Sequence, residues 1–202
     1  PSWSPDGKSL YFCSAKAVAP RNYKDIKYDL LKISFNPQTN QFGTVDTIYK
    51  AAALGKSISF PRVSPDGKYV LFCMSNYGNF SIWHPESDLY LLNLETKEIK
   101  QPAINSQQTE SYHTWSSTGK WVVFSSRRMD GLYTRPYFSH FQTDVQFAKP
   151  FVLPQENPDF YERFLKSYNI PELVKSEVKL NPRIIADKMK QKAVQVKFKS
   201  MY

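Results

Sequence analysis

Three histidines, His84, His113 and His140, are the first residues to consider for catalysis or metal binding, and none is placed for either. No His-x-Glu or His-x-x-x-His pair occurs, and no carboxylates gather near them at ligand spacing. His113 stands where related segments carry Pro1 and Pro61, so it is expected to serve the start of a strand rather than a reaction. No Gly-x-Ser-x-Gly elbow is present. Gly55-Lys56-Ser57 imitates the end of a phosphate-binding loop, but Lys50 occupies the place of the required first glycine and no helix pattern follows. Asp6-Gly7 and Asp66-Gly67 lack the alternating oxygen donors of a calcium loop. Cys13 and Cys73 hold equivalent places in successive similar segments. They therefore point the same way from separate units, not towards each other as a disulfide with Cα atoms within about 7 Å would need. Two free, buried thiols packing as small hydrophobes are expected. No catalytic residue, metal or cofactor follows from these patterns.

Cations beside aromatics do recur. Lys16, Arg21, Tyr23 and Lys24 form one group, Tyr77, Trp83 and His84 a second, and Arg127 and Arg128 a third, with Lys56 between. Such a mixture suits an anionic or sugar-like ligand, or an acidic patch on a protein. The competing reading is that Arg127 and Arg128 pair with Asp or Glu of a neighbouring unit and only fix it in place. The choice depends on whether the elements bring these groups together.

Those elements are three copies of one segment. Trp3-Ser4-Pro5-Asp6-Gly7-Lys8 leads into Ser9-Leu10-Tyr11-Phe12-Cys13, Val63-Ser64-Pro65-Asp66-Gly67-Lys68 into Tyr69-Val70-Leu71-Phe72-Cys73, and Trp115-Ser116-Ser117-Thr118-Gly119-Lys120 into Trp121-Val122-Val123-Phe124-Ser125. Proline sets the first corner of a turn, aspartate bonds back to the backbone, and glycine supplies a positive φ. The β-branched and aromatic run after each turn reads as a buried strand. A second apolar stretch follows each: 28–33, 88–94 and 132–138. With the turns at 36–40 and 95–98, each repeat reads as a four-stranded antiparallel unit. Such a unit cannot bury both faces alone, so it stacks on its neighbours, and radial stacking is the β-propeller.

The Trp-Ser-Pro-Asp-Gly-Lys pattern, followed by an apolar strand and Leu-Tyr, resembles the WD40-like PD40 repeat of TolB-type bacterial propellers. More narrowly, Ala51-Ala52-Ala53-Leu54-Gly55-Lys56-Ser57, His113-Thr114-Trp115-Ser116, Ser125-Ser126-Arg127-Arg128-Met129-Asp130-Gly131 and Phe164-Leu165-Lys166-Ser167-Tyr168-Asn169-Ile170-Pro171-Glu172 are similar to a TolB-like envelope family of Gram-negative bacteria. The resemblance implies an all-β, TolB/PD40-type β-propeller over residues 1–153, with blades at about 1–58, 59–110 and 111–153. Residues 154–202 then form a helical and irregular C-terminal extension. It also implies a location in the periplasm or associated with the outer membrane. Longer members of that family carry a Cys-x-x-Cys-His haem motif upstream of the propeller; this chain has none. Propellers close with about 4–8 blades, so three are expected to belong to a larger ring, completed by polypeptide preceding this segment or by another chain.

Strand direction alternates within a blade, so the loop joining its second and third strands shares a face with the loop between blades. Segments 15–27, 76–87 and 127–131, with 52–60 and 105–112, should converge on one mouth. Two of them far exceed the ~2–6 residues a plain connection needs. The residues expected to bind there are Arg21, Tyr23, Lys56, Trp83, His84, Arg127 and Arg128, with His113 just inside. The function implied is a non-catalytic module that binds an envelope protein or a glycan at this face. The alternative is an accessory propeller of a larger redox, c-type-haem or hydrolytic envelope protein whose active part lies upstream.

Of 202 residues 41% are hydrophobic and 15% aromatic, enough for a core, which excludes a disordered chain. No apolar run approaches the ~20 residues of a membrane-spanning helix. Residues 179–202 hold +6 of the net +9 charge, in Lys179, Arg183, Lys188, Lys190, Lys192, Lys197 and Lys199 against Asp187. Weak amphipathicity there disfavours a membrane surface, and nucleic acid is disfavoured as a partner. Short helices are expected at 158–166 and 183–193, the second with Asn181 as cap and Pro182 at its first position.

Overall fold

A computed structural model describes residues 1–142 and 146–195; Lys197 and Lys199 lie outside the described residues. The repeated turns form as their side chains dictate. Ser4 Oγ donates to Asp6 Oδ1 (2.6 Å) and accepts from Ser9 N (2.9 Å), while Asp6 Oδ1 accepts from Lys8 N (3.0 Å). Ser64, Asp66, Lys68 and Tyr69 repeat these bonds at 2.6, 3.0 and 3.0 Å. In the third copy the Thr118 hydroxyl replaces the carboxylate, 3.0 Å from Ser116 Oγ and 3.4 Å from the donating Lys120 N. The geometry survives with a weaker acceptor. Gly67 and Gly119 have φ of 73° and 70°, a region that favours glycine.

Each turn opens a strand pair, and three four-stranded antiparallel sheets result. The first holds β1 (Ser2–Trp3), β2 (Ser9–Ser14), β3 (Asp29–Asn36) and β4 (Gln41–Tyr49). The second holds β5 (Ser57–Val63), β6 (Tyr69–Ser75), β7 (Asp88–Asn93) and β8 (Ile99–Lys100). The third holds β9 (Glu110–Trp115), β10 (Trp121–Ser126), β11 (Arg135–His140) and β12 (Phe151–Val152). Strands lie in chain order within each sheet. The first strand of each sheet meets the next, β1 against β5 and β5 against β9, so these are the inner strands of propeller blades.

Alternation along the strands fixes how blades stack. Val70 and Phe72 of β6 pack with Tyr11 and Leu30 of the first blade. Leu71 and Cys73, on the other face, pack with Trp115, Val122, Phe124 and Tyr137 of the third. The middle blade is thus buried on both faces. Each fully buried Leu or Phe here contributes roughly 1.5–3 kcal/mol. Successive turns also lie side by side, since Pro5 sits next to Gly67 and Pro65 next to Gly119.

The far face of the third blade meets the C-terminal extension, where residues 168–173 lie along Val123, Pro136, Phe138 and Leu153. Tyr168 N donates to Thr134 O (3.0 Å) and Ser125 Oγ to Asn169 O (3.4 Å). The fully buried Arg135 guanidinium donates to Lys166 O (2.9 Å) and Phe164 O (3.1 Å).

Four local expectations are corrected. The helix expected over 158–166 shrinks to α1 (Phe160–Arg163), because the chain turns its following carbonyls towards Arg135. The second helix, α2 (Pro182–Lys190), ends before 193; it is capped by Asn181 Oδ1 accepting from Arg183 N (3.0 Å) and is exposed throughout. Residues 132–134 form a turn rather than a strand, since Asp130 Oδ1 accepts from both Leu132 N and Tyr133 N at 2.8 Å. Cys73 is buried, whereas Cys13, which among the described residues pairs with Leu30 of β3, is half-buried.

Replacing Gly67 or Gly119 with alanine should lower unfolding free energy by about 1 kcal/mol each, through φ rather than contact, because the added Cβ meets only ordinary van der Waals neighbours. Urea denaturation checks this, and an unchanged midpoint would refute the turn geometry.

Candidate functional site

The long loops do meet at one mouth. The first, 15–27, carries a 3-10 turn (Pro20–Asp25), and the second, 76–87, another (Ser81–Trp83). Asn79 Nδ2 donates to Tyr23 O (2.9 Å), Lys27 Nζ donates to Asn76 O, and Lys56 Nζ donates to Asn76 Oδ1 (2.5 Å). Gly78 permits this approach, since a Cβ there would collide with Ile26 O. Farther round, Thr109 Oγ1 donates to His84 O (2.8 Å) and Arg127 N to Thr109 O (3.3 Å). Loops from all three blades are thereby tied edge to edge.

On this rim Arg21 and Tyr23 are exposed and Lys56 is half-buried. Trp83 is 60% exposed and lies over the Arg127 guanidinium, 3.7 Å from its carbon. His84 is half-buried beside the Tyr77 ring and 3.5 Å from Glu86. The Arg127 guanidinium is largely covered, and burial lowers its pKa while Asp130 raises it. Its partner from the neighbouring blade is therefore an aromatic ring rather than a carboxylate.

Arg128 behaves differently. Its Nη2 lies 2.9 Å from Glu110 Oε1 and 2.6 Å from Ile104 O, and its guanidinium covers the Tyr137 ring at 4.7 Å. Glu110 is wholly buried and also accepts from Ser126 Oγ (2.9 Å), Ser106 Oγ (2.7 Å) and Ser106 N (3.2 Å). The carboxylate comes from the inner strand of the same blade, not from the neighbouring one. This pair locks the connection from the second blade onto the third, and every charge in it is satisfied.

His113 lies deeper. It is 1% exposed, with Nε2 donating to Leu71 O at 2.8 Å and Nδ1 3.8 Å from Cys73 Sγ. Burial pushes its pKa down to about 4, so the ring is neutral. It spans the second and third blades and does not reach the mouth's surface. Asp88 accepts from Gln101 Nε2 (2.7 Å), and burial with nearby Glu110 pushes its pKa up to about 6. Among the described residues, no three His, Cys, Asp or Glu side chains stand together at metal-binding geometry.

Sequence reasoning missed Glu110, Asp88, Ser106 and Ser126. Glu110 pairs with a residue a whole strand away, so no local spacing links them. Sequence alone assigns Glu110 to the 105–112 connection, where an acid needs no partner; its place at the buried start of β9 is what calls for a cation.

Arg128→Ala should cost about 3–5 kcal/mol, because it leaves Glu110 charged and buried, whereas a simultaneous Glu110→Leu should recover much of that loss. The pH profile offers a separate check. Neutral His113 contributes stability present above its unfolded pKa and lost as pH falls from about 6.5 to 4, roughly 3 kcal/mol. Asp88 has the opposite sign, with stability lost as pH rises from 3.8 to about 6. Asp88→Asn should therefore steepen the acid loss of stability, and His113→Asn should reverse it. Parallel profiles for both variants would contradict these environments.

No protein-family profile matches the chain, and none of the curated proteins matches it. Solved structures do. An oligogalacturonate lyase in complex with manganese is similar at 13% identity and a TM-score of 0.51, over 76% of this chain and 41% of that one. The β-propeller domain of the Trilobed protease from Pyrococcus furiosus is similar at 18% identity and a TM-score of 0.44, over 74% of this chain and 41% of that one. The Dos1 propeller is similar at 14% identity and a TM-score of 0.45, over 65% and 34%. The chain thus spans less than half the length of these structures. The likeness to the lyase concerns fold alone, and it agrees with the three stacked sheets: this chain is built of β-propeller blades.

Proposed function

We propose that the chain is a non-catalytic binding module, a TolB-like propeller of the bacterial envelope, periplasmic or associated with the outer membrane, that holds a protein partner or a glycan at the long-loop mouth. The observation that carries this reading is Trp83, a large aromatic left 60% exposed on a rim where loops of three blades are hydrogen-bonded together. Aromatic and arginine groups on a rigid base are the usual anchors of an interface. Arg127 beneath Trp83 orients the indole, and Arg21, Tyr23, Lys56 and His84 surround it as a rim suited to acidic or hydroxyl-rich surfaces. Arg128 and His113 serve the scaffold in this reading. The envelope location rests on the repeat and tail segments that resemble the TolB-like family. No helix among the described residues is long and apolar enough to cross a membrane.

The three blades belong to a larger ring in this account. Leu10, Phe12, Leu31 and Ile33 form a face on the first blade equivalent to the faces by which later blades meet their predecessors, yet all four remain partly open. The second reading, an accessory propeller of a larger redox, haem-bearing or hydrolytic envelope protein, draws support from the likeness to the lyase, of which this chain covers 41%. A visible haem band or hydrolytic turnover in the full polypeptide would favour it.

A photo-crosslinking residue at Trp83 should capture a specific envelope partner or labelled glycan that the same group at Asp66, on the opposite face, does not. Arg127→Ala should weaken that capture several-fold. Equal capture from both faces would remove the mouth as the site.

A further inference from the structure

Two lysines from separate loops converge on one asparagine. Lys27 Nζ donates to Asn76 O, and Lys56 Nζ donates to Asn76 Oδ1 (2.5 Å). Lys27 closes the first long loop, Lys56 precedes β5 and Asn76 follows β6, so the cluster sits where the first and second blades join. Both lysines are half-buried. Ile26 O, beside Lys27, lies so near Gly78 that a Cβ there would strike it, which keeps the two loops pressed together. Each ammonium has three donors and spends one on Asn76, so both retain donors for a ligand. No carboxylate among the described residues forms an ion pair with either. Asp88 is close enough to feel Lys56, but it bonds to Gln101.

The next junction is balanced. Ile58 N bonds to Tyr28 O as Glu110 N bonds to Ser87 O, and Met74 faces Asp88 as Ser126 faces Arg135. By this register, Glu86, Gln108 and Arg128 stand where Lys27, Lys56 and Asn76 stand one blade earlier. There one acid offsets one base, and Arg128 meets Glu110 inside the chain. At the first junction two cations share one neutral residue. Like charges held this close repel unless an anion joins them. Lys27 also lies over the Tyr77 ring at 5.7 Å, and Tyr77 packs on His84 at 5.1 Å, a shelf leading to Trp83.

We propose that Lys27 and Lys56, positioned by Asn76, bind a dianionic phosphate group, free or carried as a monoester by the ligand at the mouth. Two ammonium point charges match the charge of that group, and its three terminal oxygens accept from their remaining donors. Tyr77 lies beside the atoms that would carry the ester. This names the charged group of the ligand in the mouth reading, and it rests on that reading for the ligand's other contacts.

The probes are inorganic phosphate, glucose 6-phosphate, and phosphatidylcholine vesicles with and without phosphatidic acid, each added to the whole chain. Titration calorimetry should show saturable binding of phosphate, with dimethyl phosphate, a monoanion, about tenfold weaker or more. Tighter binding of glucose 6-phosphate than of phosphate, with none of glucose, assigns a sugar phosphate; equal binding assigns the free ion. Co-sedimentation only with vesicles holding phosphatidic acid assigns a lipid headgroup. Lys27→Gln and Lys56→Gln should each weaken binding by about tenfold or more. In the unaltered chain, phosphate should slow reductive methylation of Lys27 and Lys56 in proportion to the fraction bound, and leave exposed Lys68 and Lys120, on the opposite face, unaffected. Uniform protection of all four lysines, unchanged binding in both variants, or no saturation by any phosphate probe would overturn the proposal. Absent phosphate binding with selective capture at Trp83 would sink this site and leave the mouth. Phosphate binding with equal capture at Trp83 and Asp66 would do the reverse.

Discussion

An antiparallel sheet with apolar side chains on both faces must be covered on both faces, and that requirement organises this chain. Every strand that follows a repeated turn alternates between two equally apolar sides. In β6, Val70 and Phe72 find Tyr11 and Leu30, while Leu71 and Cys73 find Trp115 and Phe124. Because twisted sheets stacked in this way rotate about a common axis, inner strands line one side and long loops gather at one end. The third blade meets the same need differently, with residues 168–173 lying where another sheet would stack.

The long-loop rim follows from that stacking. Its loops are long, but they are not independent: Asn79 reaches Tyr23, Thr109 reaches His84, and Trp83 rests on Arg127. The Glu110–Arg128 pair beneath them fixes the connection between the second and third blades, so the rim stands on a buried, satisfied charge pair. Two adjacent arginines in one loop therefore do different work, one holding an aromatic at the surface and its neighbour anchoring the backbone below.

Much of the fold was legible because the repeat encodes its own geometry. Ser-Pro-Asp-Gly specifies a turn through bonds made within six residues, and even the altered Ser117-Thr118 copy keeps them through a hydroxyl. Convergence of the loops followed from strand alternation alone. What stayed hidden depends on contacts distant in sequence. Arg135 ends α1 by taking the carbonyls of Phe164 and Lys166 that follow it, and no pattern near residue 160 announces it. Asp130 turns an apolar run away from the strand it would otherwise extend. Glu110 became a partner for Arg128 only once β9 and β10 lay side by side.

Native-state hydrogen exchange tests the two-sided burial most directly. Amides of β6 and β7, in the blade covered on both faces, should exchange only through global unfolding, while those of β2 and β3 exchange through a smaller opening. Equal protection of β2 and β6 would contradict the stacking order on which the rim, the charge pair and the open first blade all depend.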